Sequence, residues 1–309
     1  MKKILVTGAR GFLGRYCIPL LLKEGLEIHS LSRHAASVEK GIIFHTVDLF
    51  ERDTLRLKLQ EIRPHYLLHC AWLTTPGIFW NHPDNLSWLK ATLELLQAFG
   101  EAGGERALGI GSCAEYDWSM GGICREKATP LLPATVYGQS KLAAAQVFSA
   151  FSKLYGFSAA WGRLFFPYGI GEPADKFISA IIRGVRRREA VECSHGRQVR
   201  DFMYIEDVAE AIVTLLMSSA TGAYNVASGQ SFSLRDIVGE ITSKIGGEAL
   251  IKFGSKAEQA GEPQTLIADV GALFEEISWR PRIDLPSGIG RMIEVLCSAD
   301  AVCAIPTRV

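Results

Sequence analysis

Net charge is missing from this chain: 33 basic residues balance 33 acidic ones, which removes the general electrostatic case for nucleic acid or an anionic membrane surface as partner. Long apolar runs are missing too, and no segment can span a bilayer. The opening Met1-Lys-Lys-Ile-Leu-Val-Thr-Gly8 reads as a first strand rather than a signal peptide, because glycine and arginine interrupt it before an adequate apolar stretch forms. The seven cysteines contain no Cys-x-x-Cys pair, and an odd count argues against both a disulfide framework and a zinc ribbon. No metal is expected, and a reducing cytoplasm is the expected home. Cys113 has no histidine nearby in sequence to support a thiolate nucleophile, so it reads as packing or pocket lining. With no internal repeat and no low-complexity linker, 309 residues suit one large or two interleaved domains around a substantial core.

What is present begins with glycine. The apolar run at residues 2 to 7 ends at Gly8, and Phe12 to Lys23 carries a helical pattern, so Gly8-Ala-Arg-Gly11-Phe-Leu-Gly14 is a strand-to-helix turn. Glycines there let backbone amides approach a pyrophosphate, which the helix N-terminus then holds. The Gly-x-x-Gly-x-x-Gly spacing is the form seen in the short-chain dehydrogenase/reductase superfamily. About ~20 residues further on, where an acid would grip an NAD ribose, stand Ser32 and Arg33. An arginine there can pair with the extra phosphate of NADP, giving NADP as the expected cofactor and NAD as the alternative. Asp48 follows the apolar run Ile42 to Val47; it is read either as a contact to the adenine edge or as a cap for the helix beginning near Arg52.

The second signal is Tyr137-Gly-Gln-Ser-Lys141. Tyr and Lys four apart fall on one helical face, so the ammonium can sit beside the phenol, stabilise its phenolate and lower a pKa normally near ~10. Such a phenol can exchange protons with a hydroxyl while a nicotinamide exchanges hydride with the same carbon. Ser112 closes an apolar strand 25 residues earlier, where its hydroxyl can hold the reacting oxygen near that phenol. The alternative for Ser112 is a loop serine satisfying backbone groups.

Strand-like segments at Ile28–Leu31, Ile42–Val47, Tyr66–His69, Ala107–Gly111 and Ser158–Leu164 alternate with helical ones at Asp53–Ile62, Pro83–Gly100 and Tyr137–Tyr155. That alternation predicts an α/β fold with a doubly wound parallel sheet of Rossmann type, ligands lying beyond the carboxyl ends of its strands. Past Pro167 the pattern shortens, with a basic helix at Arg183–Arg188, before a helix at Asp207–Met217 and a strand at Ala223–Val226 return to the sheet. The expected division is a cofactor domain of residues 1–166 plus about 201–227, and a smaller interleaved C-terminal substrate lobe of residues 167–200 and 228–309. The tail after Leu296 has no clear pattern. Arg186-Arg187-Arg188 reads as a solvated helix face rather than a phosphate site.

Over nearly its whole length the chain resembles the extended short-chain dehydrogenase/reductases, more narrowly the nucleotide-sugar epimerase/dehydratase family. The carrying residues run from Gly8–Gly14 through Asp48-Leu49, His69-Cys-Ala71, Ser112, Tyr137 with Lys141 and Arg163-Leu-Phe-Phe-Pro-Tyr-Gly169. They continue with Arg200-Asp-Phe-Met-Tyr-Ile-Glu-Asp207, Tyr224–Gly229 and Trp279-Arg-Pro281. The resemblance implies that Gly8, Gly11, Phe12, Leu13, Gly14, Ser32, Arg33, Asp48, Leu49 and Ala71, together with Tyr137 and Lys141, hold the cofactor. It implies Tyr137 as acid/base, Ser112 as its partner on the substrate oxygen, and Lys141 as the residue that tunes the tyrosine. Trp72, Thr74, Ser112, Lys176, Phe177 and Arg200 are implied to bind substrate, Arg200 by gripping a nucleotide diphosphate; a structural salt bridge is the alternative for Arg200. Trp72, Trp80, His82 and Trp88 crowd the stretch after the fourth strand, an apolar wall that suits a deoxysugar, with core packing the favoured role of Trp88. Similar sugar 4,6-dehydratases carry an Asp-Glu pair where Cys113 and Ala114 stand, so elimination by that route is not expected, and Glu115 lies one place too far on. Phe166 replaces the usual Asn, and the late Arg-Pro-Gly-Asp element reads Gln259-Ala-Gly-Glu262, which leaves the base of the nucleotide open.

These features lead to an NADP-dependent reductase of a nucleotide-linked 4-keto-6-deoxy sugar. A nucleotide-sugar epimerase that retains its NAD(P) is the nearest alternative, and a cofactor-sensing or scaffold protein without turnover the third. By resemblance, a homodimer is expected through the Pro83–Gly100 helix and the helix of Tyr137 and Lys141.

Overall fold

Apolar strands that alternate with amphipathic helices must bury both faces of a sheet, and the chain does so. The computed structural model describes residues 1–33, 39–258 and 261–302. Its elements begin with β1 (Lys3–Thr7), α1 (Gly14–Lys23), β2 (Glu27–Ser32), β3 (Ile42–Thr46), α2 (Arg52–Ile62), β4 (Tyr66–His69), α3 (Asp84–Glu101) and β5 (Arg106–Ser112). Next come β6 (Gly122–Cys124), α4 (Val136–Tyr155), β7 (Ser158–Leu164), β8 (Phe166–Tyr168), α5 (Phe177–Arg186), β9 (Val191–Cys193), β10 (Val199–Arg200) and β11 (Phe202–Tyr204). The remainder is α6 (Ile205–Met217), β12 (Gly222–Val226), β13 (Phe232–Ser233), α7 (Leu234–Ile245), β14 (Ile251–Phe253), β15 (Thr265–Ala268), α8 (Gly271–Glu276) and α9 (Leu285–Val302).

Seven strands form one parallel sheet in the order β12-β7-β5-β4-β1-β2-β3. Successive side chains of a strand point to opposite faces, and the cores record this. Ile4, Val6, Leu68 and Leu108 enter one core with α1, α6 and the helices that follow; Leu5, Leu67 and Ala107 enter the other with α2, α3 and α4. In α2 the spacing Leu55, Leu59, Ile62 gives the single apolar stripe such a covering helix needs. The strand order reverses between β1 and β4, and the crevice beyond their carboxyl ends is where a doubly wound sheet binds ligands.

Two features fix the sheet's margins. At the foot of β5 the buried Arg106 guanidinium donates to the carbonyls of Leu215, Leu216 and Ala220 and to Ser158 Oγ, so it closes the last turn of α6. On β12 the Asn225 N–H donates to the Glu126 carboxylate at 2.8 Å, while its side-chain amide donates to the carbonyls of Cys124 and Asp269. A second sheet, β13-β10-β15-β6, takes β6 from within the first 166 residues, so the chain crosses between sheets before Pro167 as well as after it.

Two expectations need correction. The basic helix read over Arg183–Arg188 is the end of α5, which starts at Phe177; the chain leaves it after Arg186, and Arg188 has φ 58°. The segment after Leu296 is not patternless, because α9 continues to Val302 from a half anchored by buried Leu285, Ile289 and Met292, and propagation onto a formed helix is easy. Residues 303–309 lie outside the described residues. Among the described residues no helix is long and apolar enough to cross a membrane.

Candidate active site

The glycine turn is built as its spacing requires. Gly8 has φ 71°, and a Cβ on it would lie 2.8 Å from the Ala71 amide, while a Cβ on Gly14 would lie 2.1 Å from the Gly8 carbonyl oxygen. The chain at the ends of β1 and β4 is therefore in backbone contact. The first turn of α1 carries no acid and no side-chain cap, so no side chain competes with an anion for the positive end of its dipole. Gly11 and Phe12 are accessible at this turn, whereas Leu13 packs into the core and can serve a cofactor only through its backbone. Beneath it, Thr7 Oγ1 and Thr92 Oγ1 hold the two nitrogens of buried His69 at 2.7 and 2.9 Å, and the Ala71 N–H donates to Thr7 Oγ1. Burial, reinforced by the charge of Lys141, pulls His69 down to about 3, so the ring is neutral at physiological pH.

The far side of the crevice would meet the adenosine half of a dinucleotide. Ser32 ends β2, and Arg33 beside it is exposed. Arg10, from the glycine turn, lies over the Phe44 ring at 4.6 Å and pairs with Glu39. Asp48 does not cap α2: its Oδ1 accepts from the Phe50 N–H at 3.0 Å, and the helix starts after Glu51 without a side-chain cap. Leu49 is half-buried against the core under α2 and α3.

Ser112, Tyr137 and Lys141 converge at the end of β5. Thr135 caps α4 by accepting from the Gly138 N–H at 3.0 Å, which aims the first turn of the helix at the strand end. Gly138 permits the approach, since a Cβ there would lie 2.2 Å from the Ala114 carbonyl oxygen. Ser112 Oγ accepts from the Ala114 N–H at 3.1 Å and stands near enough to the Tyr137 hydroxyl to favour its phenolate. Lys141 Nζ donates to the Ile110 carbonyl at 2.8 Å, stands 3.8 Å from the centre of the Trp72 ring and 5.9 Å from that of Tyr137.

The electrostatics run opposite to the expectation from spacing. Burial pushes the Tyr137 phenol well above its ordinary value, and what draws it partway back is the Ser112 hydroxyl rather than Lys141. Lys141 is itself pulled down to about 7 by burial, against the opposing charge of Glu115. The reason is tertiary: the ammonium is taken up by a carbonyl and an indole face, and the phenol is enclosed.

That enclosure is aromatic. The Phe79 ring meets Tyr137 edge-on at 4.8 Å, Trp80 meets it at 5.8 Å, and Trp118 packs on Trp80 at 5.5 Å. Asn85 holds this wall by donating to the carbonyls of Phe79 and His82 while accepting from Trp72 Nε1. Phe79, Asn85 and Trp118 escaped the sequence reading; the signal for Phe79 was its place beside Trp80, and Trp118 follows Ser112 by six residues in a segment without periodicity. Trp72 is corrected from pocket wall to core, its indole buried between Lys141, Trp88 and Asn85. Trp88 packs on Trp72 and Phe50 as core, and Thr74 is exposed.

Arg200 takes the salt-bridge alternative rather than facing an open diphosphate site. Its Nη2 pairs with Glu262 at 2.6 Å, its Nη1 donates to the carbonyls of Val199 and Gln264, and its side chain is 3% exposed. Glu262 ends the departed late element, whose residues 259 and 260 lie outside the described residues. Lys176 stands before α5 with Nζ 5.2 Å from the Phe12 ring and donates to the Pro167 carbonyl, which brings it against the glycine turn. Phe177 beside it packs into the core. Cys113 is buried, which pushes its thiol up and leaves it inert. Glu115 is fully buried with Arg163 at 2.7 Å and cannot serve as an eliminating acid. Among the described residues no group of His, Cys, Asp and Glu is placed to hold a metal ion.

Known proteins resemble this chain in sequence and in fold. The chain is 26% identical over 310 residues to a UDP-glucose 4-epimerase of Streptomyces lividans, covering 92% of this chain and 93% of that one. It is 24% identical to a CDP-abequose synthase of Salmonella muenchen, covering 95% and 98%. The UDP-glucose 4-epimerase of Thermus thermophilus, solved in complex with NAD, superposes with a TM-score of 0.84 at 25% identity, covering 96% of this chain and 99% of that one. Residues 4–227 match the pattern of one family, and they include the glycine turn, Ser112, Tyr137 and Lys141. With more than two thirds of its length so matched, the chain belongs to the NAD dependent epimerase/dehydratase family and is an NAD(P)-dependent enzyme of the extended short-chain dehydrogenase/reductase type.

Proposed function

We propose that this enzyme is an NADP-dependent reductase of a nucleotide-linked 4-keto-6-deoxy sugar. The observation that carries the proposal is the state of Tyr137: burial keeps its phenol protonated, Ser112 stands beside it, and no second acid stands at Cys113 or Ala114. The glycine turn, where any Cβ would collide with backbone, fits a pyrophosphate, and a reduced nicotinamide bound there supplies the hydride. As that hydride reaches the keto carbon, Tyr137 donates its proton to the keto oxygen while Ser112 Oγ holds the same oxygen, so ketone becomes alcohol. Lys141, with Nζ 5.9 Å from the centre of the phenol ring, stands where it would help hold the cofactor. Phe79, Trp80 and Trp118 present a mainly aromatic wall that accepts a methyl group readily, which favours a deoxysugar. Ser32 and Arg33, with Arg10 on the same side of the crevice, favour the extra phosphate of NADP.

A nucleotide-sugar 4-epimerase is the second reading, favoured by the similarity to UDP-glucose 4-epimerases. It uses the same three residues but returns the hydride to the same substrate. The discriminating experiment mixes the protein with 4-keto-6-deoxy sugars on dTDP, GDP and CDP, adds NADPH or NADH, and follows cofactor absorbance with product chromatography. Stoichiometric loss of NADPH supports the reductase; a changed sugar without cofactor loss supports the epimerase. We assign residues 1–166 and about 201–227 to the cofactor domain and the remainder to the substrate lobe. A homodimer through α3 and α4 completes the proposal; their outer faces expose Leu86 and Leu154.

A further inference from the structure

Glu115 follows the strand that carries Ser112, yet the reaction proposed above gives it no part. Its carboxylate is fully buried. Oε1 accepts from the Ser112 N–H at 2.8 Å and from Trp161 Nε1 at 2.9 Å, and Oε2 accepts from Arg163 Nε at 2.7 Å. Gly111 makes the room, because a Cβ there would lie 2.4 Å from Glu115 Oε1 and 2.1 Å from Trp161 Nε1. Arg163 also donates to the Tyr116 hydroxyl, which in turn donates to Asn225 Oδ1 on β12. A buried ion pair is a poor stabiliser, and apolar side chains of similar volume fill such space as well or better. What apolar residues cannot do is end on the Ser112 amide. With Ser112 Oγ accepting from the turn and Glu115 accepting from the Ser112 N–H, a reciprocal box fixes the backbone of Ser112 and the direction of its hydroxyl.

We propose that Glu115 is a positioning residue that fixes Ser112 Oγ against Tyr137 and places a negative charge beneath the Ser112, Tyr137 and Lys141 cluster. The inference rests on the roles proposed for those three residues. The charged and titratable groups facing Glu115 are Arg163 from β7, Cys113 and Tyr116 from its own turn, and Tyr137 and Lys141 from α4. The carboxylate opposes the loss of the Lys141 proton that burial favours.

The test compares wild type, Glu115→Gln and the double variant Glu115→Gln/Arg163→Met. The readouts are NADPH turnover, cofactor affinity, melting temperature and the titration of Lys141 by carbon-13 NMR at its Cε. Expected for Glu115→Gln is a kcat lower by about 10- to 100-fold with KM and cofactor Kd within about twofold, and a lower Lys141 midpoint. The double variant, relieved of an unpaired guanidinium, recovers melting temperature but neither kcat nor the midpoint. Recovery of kcat together with stability would show Glu115 to be only the counter-ion of Arg163 and overturn the proposal. If Glu115→Gln does not fold, Glu115→Asp keeps the charge but loses the reach to Ser112; wild-type kcat in that variant overturns the proposal equally. The NMR readout also separates the two hypotheses: were no sugar substrate turned over by wild type, the reductase reading would fail, while an unmoved Lys141 midpoint in Glu115→Gln would sink the positioning role by itself.

Discussion

A protonated, enclosed phenol is a donor waiting for an acceptor, and the chemistry of Tyr137 follows from that state. Tyr137→Phe keeps the ring and its contacts with Phe79 and Trp80 but removes the proton; kcat is expected to fall by about 10²- to 10⁴-fold with cofactor affinity unchanged, measured by steady-state turnover and fluorescence titration. His69 gives a second prediction at this scale. It titrates near 6.5 in the unfolded chain and near 3 in the fold, so between those values the unfolded state binds more protons. Its contribution to stability is thus present above 6.5 and lost as pH falls toward 3. Asp201, pushed up to about 6 by burial, works the other way: its contribution is present at acid pH and lost as pH rises through 6. Melting temperature between pH 7 and about 4 is expected to fall less steeply in His69→Asn than in wild type. At this scale Ser112, Tyr137 and Lys141 were readable because covalent spacing on a strand and a helix brings them together. The direction of the Tyr137 shift was not readable, since burial is decided by Phe79, Trp80 and Trp118, which reach it from other segments. Nor was the partner of Arg200, which comes from 62 residues away.

Elements matter here through their ends. The first turn of α4 approaches the turn after β5 so closely that Gly138 has no room for a side chain. Gly138→Ala is expected to cost about 1–3 kcal/mol by overpacking, seen as a lower melting temperature, and to reduce kcat by separating Tyr137 from Ser112. Thr135→Ala tests the cap of the same helix, with about 1 kcal/mol of stability lost in denaturant titration. Helices and strands of the sheet were legible to within a residue or two, because each carries its own apolar period. The end of α9 was not, since its small and polar residues are helical only by continuing a helix already anchored in the core. The Arg106 closure of α6 was also hidden: the donor and its carbonyl partners are more than a hundred residues apart.

The whole molecule is the scale at which cofactor choice and assembly are read. A ligand bound only by the folded state at about 100 times its Kd stabilises by about 2.7 kcal/mol, so NADPH is expected to raise the melting temperature more than equimolar NADH, and Arg33→Ala to narrow that gap. From the proposed homodimer, wild type is expected to run as a dimer by light scattering and Leu154→Glu, on the outer face of α4, as a monomer. The doubly wound order was legible from strand and helix alternation, whereas β6 crossing into the second sheet was not, because three residues carry no period. The seven-stranded sheet ends at β12, and there the N–H of buried Asn225 is taken by the Glu126 carboxylate while its side chain joins Cys124 and Asp269, so that position of the edge is closed from within the chain. One carboxylate thus seals the rim of the sheet: Glu126→Ala strands a buried N–H and is expected to cost about 1–3 kcal/mol, read as a lower melting temperature.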